Sequence, residues 1–170
     1  MDDRQLNMTL REEGRFLGMC DKFYNEKWDY SPDELVAKMY KGIDFCLKHH
    51  WPSNEFIARN FQKDFLRNHG VFVDDEYSTS NIEHSLALGC SHIRYRYSGK
   101  SYGNINLRDI SYAHITARGN VLLVVHMFET SSIKVEQSEN ARVVVIKHSP
   151  RVIINRTGDV TIKEEYDYLR

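Results

Sequence analysis

From about residue 91 the chain repeats itself. A turn dipeptide ending in Asn or Asp precedes an apolar stretch four times: Gly103-Asn104 before Ile105, Gly119-Asn120 before Val121, Glu139-Asn140 before Ala141, and Gly158-Asp159 before Val160. The Asn or Asp positions are 16, 20 and 19 residues apart. A second alternating run lies inside each interval, starting near Ala113, Ile133 and Val152. Period-two alternation rich in β-branched residues is the strand pattern, and Gly and Asn accept the positive φ of tight corners. A unit of about 19 residues cannot bury a core alone, so repeats of this kind stack on one another. The pattern predicts an α+β protein: a helical N-terminal region (1–82) followed by a short β-solenoid of about four two-stranded coils (83–170). Ile, Val, Leu and Ala would face inward, Lys, Arg, Glu, Thr and His outward, with an Asn column at one corner. The alternative is a β-sandwich or β-roll, which turn signals every roughly 8–12 residues also fit. Open solenoid ends expose strand edges; the helical half would cover one and the charged tail Lys163-Glu164-Glu165-Tyr166-Asp167-Tyr168 would blunt the other.

The first half carries helical signals. Thr9 and Glu12 have capping-box spacing before Leu10, Leu17, Cys20 and Tyr24, which predicts a helix over 9–25. Ser31-Pro32-Asp33-Glu34 combines an N-cap hydroxyl, a first-turn proline and a capping-box Glu. Leu35, Met39, Ile43 and Leu47 then form one stripe, which predicts a helix over 32–49. Trp51-Pro52 interrupts, and Ser53 caps a third helix that stops at Asn68-His69-Gly70. Val71-Phe72-Val73 reads as a short buried strand. With 41% hydrophobic residues and a net charge of −1, the chain can bury a core and is neither disordered nor polycationic. The polar start MDDRQLNMTLREEG lacks the form of a signal peptide, no apolar run is long enough to span a bilayer, and three scattered cysteines fit a reducing compartment. A soluble protein of the cytoplasm, or of a virion, is expected.

Chemistry-bearing motifs are few. There is no glycine-rich phosphate loop, nucleophile elbow or HExxH, and a non-enzyme without cofactor or metal is expected. Cys90 and His92, with His84 nearby, are the only residues that approach a metal-ligand set, and no fourth ligand has suitable spacing. Glu136 and Glu139 are the only candidates for a glycosidase carboxylate pair, and solvated surface charge is the preferred reading. The densest feature runs from Arg94 to Tyr112: Arg94, Arg96, Tyr97, Lys100, Tyr102 and Arg108 are the candidate binding residues. Cations for phosphates and rings for bases is the chemistry of single-strand binding. Alternation, however, puts Arg94 and Arg96 on one face and Tyr95 and Tyr97 on the other. A helix-turn-helix reading of residues 54–69 would use Arg59, Lys63 and Arg67, against Glu55 and Asp64 on the same segment. Residues 1–82 hold 11 basic and 15 acidic side chains, and 83–170 hold 12 and 9, so any local positive surface belongs to the β half.

The segment GIDFCLKHHWPSNEFIARNF, then FLRNHGVFVDD, followed by irregular GN-V-x-V coils, resembles uncharacterised proteins of bacteroidete phages and integrated mobile elements. The resemblance covers the chain from about Ser31 onward and carries no catalytic residues with it. It implies a phage or mobile-element setting. The expectation is a binding or structural module that offers a solenoid surface to a protein partner, as a virion component or an inhibitor of a host protein. A nucleic-acid-binding regulator and a small carbohydrate-active enzyme are the alternatives. A homo-oligomer is possible, and no membrane partner is expected.

Overall fold

The computed structural model describes residues 2–28 and 31–167. They form two compact units, divided between Gln62 and Lys63. The division precedes the change in sequence pattern near 82, because the last helix and the first two strands pack with the repeat.

The first unit is helical. Its first helix starts six residues before the predicted start at Thr9. α1 spans Asp3–Phe16, capped by Asp2, whose side chain accepts from the Gln5 backbone N–H at 2.8 Å while Gln5 reaches back to the Asp2 N–H. Gly18, at φ +93°, turns the chain into the short α2 (Asp21–Tyr24). Ser31 caps α3 (Pro32–Lys41) by accepting from Glu34 N–H, as the sequence predicts. The single helix expected over 32–49 breaks at Gly42, where the Phe23 ring closes on the backbone, and resumes as α4 (Ile43–His49). The third helix divides likewise at Phe61, which is extended, into α5 (Asn54–Asn60) and α6 (Lys63–Asn68). Leu10, Leu35, Val36, Leu47 and Ile57 are buried, so the predicted stripes do supply the core. Glu26 accepts from Lys38 and Lys41 at 2.7–2.8 Å, and these two ammonium groups hold its carboxyl down at about 2.

The second unit is a parallel β-solenoid of about four turns, as the repeat predicts. Its strands are β1 (Val71–Val73), β2 (Glu76–Ser80), β3 (His84–Leu88), β4 (His92–Leu107), β5 (Tyr112–Met127), β6 (Ser132–Ser138), β7 (Arg142–Lys147), β8 (Ile153–Thr157) and β9 (Thr161–Glu164). Every pairing is parallel, which excludes the sandwich. One face stacks β2, the first half of β4, the first half of β5, β6 and β8. The other stacks β1, β3, the second halves of β4 and β5, β7 and β9. β4 and β5 pair over their full length, from His92 opposite Tyr112 to Leu107 opposite Met127. The central coil is therefore 20 residues, one more than the average turn spacing suggests.

Inward side chains stack in columns. Ile93, Ala113 and Ile133 form one; Tyr95, Ile115 and Val135 the next; Ile105, Val125 and Val145 the facing one, all essentially sealed from water. The two large rings sit in the earliest coils, where small residues face them. Tyr95 Oη lies 2.7 Å from Ser85 Oγ, and the Tyr97 ring occupies the space that a Cβ on Gly103 would take. The expected Asn column does not form: Asn104 lies within a strand opposite Val124, whereas Asn120 lies at a corner opposite Lys100. What stacks is backbone conformation. One corner carries Asn81, Gly99, Gly119, Glu139 and Gly158, the other Asp74, Gly89, Asp109 and Glu129, all at positive φ.

α6 closes the first coil by packing against β1, all three residues of which are buried. Arg67 donates from Nε and Nη2 to the two Asp75 oxygens at 2.9 Å, lies over the Tyr77 ring at 4.6 Å, and Lys63 approaches the same carboxylate at 3.1 Å. Burial pushes the Asp75 carboxyl up, but the hydrogen bonds from Arg67 and Lys63 outweigh it and hold the group below its ordinary value. A carboxyl depressed in the folded state contributes stability above its unfolded pKa of about 4, lost as pH falls through the folded value. Urea midpoints of the wild type are expected to fall below pH 4 more steeply than those of Asp75→Asn, whose profile flattens there while its stability at pH 7 drops. Parallel profiles for the two would refute this role for Asp75.

Candidate binding surface

Alternation along β4 decides which sequence-predicted residues reach solvent. Arg94 and Arg96 point outward and are exposed, and Lys100 is exposed at the corner that follows. None of the three side chains has a hydrogen bond or ion pair among the described residues. Tyr97 points inward with 1% exposure; its hydroxyl donates to the Ile82 carbonyl at 2.7 Å, and burial pushes its pKa up. Arg108 is 3% exposed, with Nε 3.3 Å from Asp109. Tyr102 is exposed on the opposite face, and its hydroxyl donates to Glu83. The structure thus puts Arg94 and Arg96 on one outward face, leaves Lys100 just past the Gly99 corner, and takes Tyr97, Tyr102 and Arg108 away from that surface.

Register adds residues that sequence spacing alone does not connect. On the outward face Ser78, Arg94, His114, Lys134 and Asn155 stand in line, and Glu76, His92, Tyr112 and Ser132 form the parallel row. A groove of about 350 Å³ lies between the rows over the first coils, lined by Glu76, Ser78, His92, Arg94 and Tyr112. The His92 and Tyr112 rings are 5.6 Å apart along its wall. These residues come from β2, β4 and β5, 16 and 20 residues apart, so only a coil-by-coil alignment of the sequence could have gathered them. Further along, charge is already neutralised. Lys134 Nζ lies 2.5 Å from Glu136, His114 Nε2 donates to the same carboxylate at 3.2 Å, and Arg118 pairs with Glu139. Positive charge free to meet a partner is confined here to Arg94 and Arg96 on the face and Lys100 at the corner beyond them.

The same geometry bears on the other chemical readings. Lys134, then His114, holds the Glu136 carboxyl below its ordinary value, whereas a glycosidase acid needs a raised one. His84 lies on the face opposite His92, and the Cys90 thiol donates to Asp74 at 3.3 Å, so the three do not converge. The cations of the helix-turn-helix reading are engaged: Arg59 with Glu55, and Lys63 and Arg67 with Asp75. Among the described residues no helix is long and apolar enough to cross a membrane. No protein-family model, curated protein or solved structure matches the chain.

Proposed function

We propose that this chain is a non-enzymatic binding module that presents one face of its β-solenoid to an acidic surface of a protein partner. The observation that carries the reading is the set of three unpaired cations, Arg94, Arg96 and Lys100, on a ladder fixed in register beside a groove. A parallel ladder backed by a sealed core fixes the backbone positions of these cations, so binding has to order only their side chains. The groove beside Arg94 admits a side chain, and the Tyr112 ring supplies an apolar contact next to the charge. On the resemblance to phage and mobile-element proteins, the partner we propose is one of a bacterial cell or a virion. Burial of Tyr95 and Tyr97 weighs against single-strand nucleic acid, because it removes the rings on which bases would stack.

The test is the triple charge reversal Arg94→Glu/Arg96→Glu/Lys100→Glu. All three sites are exposed, so the variant is expected to keep the wild-type melting profile. It is expected to lose a nuclease-resistant protein partner that the wild type retains from source-cell extract at low salt. Tight, salt-steep binding of a labelled single-stranded oligonucleotide by the wild type, lost in the variant, would overturn this reading in favour of nucleic acid.

A further inference from the structure

The groove beside Arg94 holds a second unpaired charge, of the opposite sign. Glu76 and His92 stand in register on one wall, with Tyr112 beyond them, and Ser78 and Arg94 stand on the other. Glu76 is exposed, and its carboxylate has no hydrogen bond or ion pair among the described residues. That sets it apart on this face, where Glu136 is held by Lys134 and His114, and Glu139 by Arg118. Nor does Glu76 meet Arg94. The two are one strand and two residues apart, a Cα separation of about 8 Å for strands about 4.8 Å apart that rise about 3.3 Å per residue. His92, the register neighbour of Glu76, lies against the Tyr112 ring instead.

We infer that the groove recognises a mixed-charge segment: the partner's acidic surface carries one lysine or arginine, which meets Glu76, beside the acid that meets Arg94. This rests on the reading proposed above and specifies its partner. A purely acidic surface would leave Glu76 without a counter-charge and press carboxylates against it, which costs affinity. A cation at that point turns the same carboxylate into an attractive contact, and a segment lacking the cation is rejected. The walls favour the same occupant. His92 and Tyr112 continue the Glu76 wall and give the methylenes of a lysine or arginine a surface to lie on. Spacing agrees as well. Side chains two residues apart on an extended segment leave the same side about 7 Å apart, close to the separation of Glu76 and Arg94. A nucleic acid, with one negative charge per phosphate, offers no such cation.

Two labelled, end-blocked peptides test this at neutral pH and low salt: Asp-Ser-Asp-Ser-Lys-Ser-Asp-Ser-Asp, and the same peptide with Gln in place of Lys. The wild type is expected to bind the Lys peptide several-fold more tightly, although that peptide carries less negative charge. Glu76→Gln changes an exposed side chain and is expected to keep the wild-type melting profile. It is expected to reverse the order, weakening the Lys peptide and tightening the Gln peptide. A change of overall field alone would tighten both, since both are net negative. A wild type that ranks the Gln peptide equal or higher, or a Glu76→Gln protein that moves both peptides the same way, would overturn the inference. Arg94→Glu/Arg96→Glu/Lys100→Glu is expected to lose both peptides. Retention of both by that variant, with their order intact, would overturn the reading of the face rather than the role of Glu76. Binding of neither peptide by the wild type would overturn the two together.

Discussion

Replacing Ile133 by Asp is expected to abolish cooperative folding of the solenoid unit. Ile133 is 0% exposed and stands in register between Ala113 and Ile154, in the middle of an inward column. Removing it from the core forfeits about 2–3 kcal/mol of apolar burial. Placing a carboxylate there adds a larger penalty, because the column around it is apolar and offers no cation. A domain of this size is held by about 5–15 kcal/mol in all. Stacked coils are stabilised chiefly by their neighbours, so failure of β6 also withdraws support from β8 and from the coil formed by β4 and β5. Lys134→Ala is the control one residue away. That side chain is half exposed and pairs with Glu136, and its loss is expected to cost under about 1 kcal/mol. Thermal melts followed by circular dichroism check both. An Ile133→Asp protein that melts like the wild type would sink the assigned inward and outward parity.

That parity is legible in the sequence. Alternation placed Ile93, Tyr95, Tyr97, Ile115 and Val135 inward and Arg94 and Arg96 outward, and the burial pattern agrees. Partnership was not legible. Arg94 and Lys134 occupy one outward row, yet only Lys134 meets a carboxylate, because that depends on Glu136 and on which residues lie one coil away. Arg108 and Tyr102 looked like continuations of the basic stretch, but the chain turns the corner at Gly99 and carries them off the first face. The helix divisions at Gly42 and Phe61 were hidden for a similar reason: propensity carries a helix through, and tertiary packing stops it. Spacing of the Asn and Asp residues understated the coil because those residues do not occupy equivalent positions. The equivalent positions are the ones at positive φ, and Glu139, no turn former, holds one of them.

Gly119→Ala is expected to destabilise the solenoid by about 3 kcal/mol, whereas Gly99→Ala costs about 1 kcal/mol, although the two glycines stack directly. Glu139 and Asn81 occupy the same corner column at φ 59° and 51°, inside the small left-handed region open to ordinary residues. Gly99, at φ 70°, lies near that region, and a Cβ there would meet no atom within 4 Å. Gly119, at φ 93°, lies beyond it, and its Cβ would stand 3.0 Å from the Gly99 carbonyl oxygen and 3.1 Å from the Gly99 nitrogen. Both contacts are backbone, fixed by the ladder of the preceding coil, so neither can swing aside. The penalty is therefore strain plus a forced separation of two coils whose spacing of about 4.8 Å the hydrogen bonds set. Urea denaturation of the two alanine variants measures the difference. Equal midpoints would mean that the corner is soft and that the column of positive φ follows the coil rather than fixing it. A midpoint lowered far more in Gly119→Ala would identify the corner as the element that holds β4 and β5 in register, and with them the row that carries Arg94.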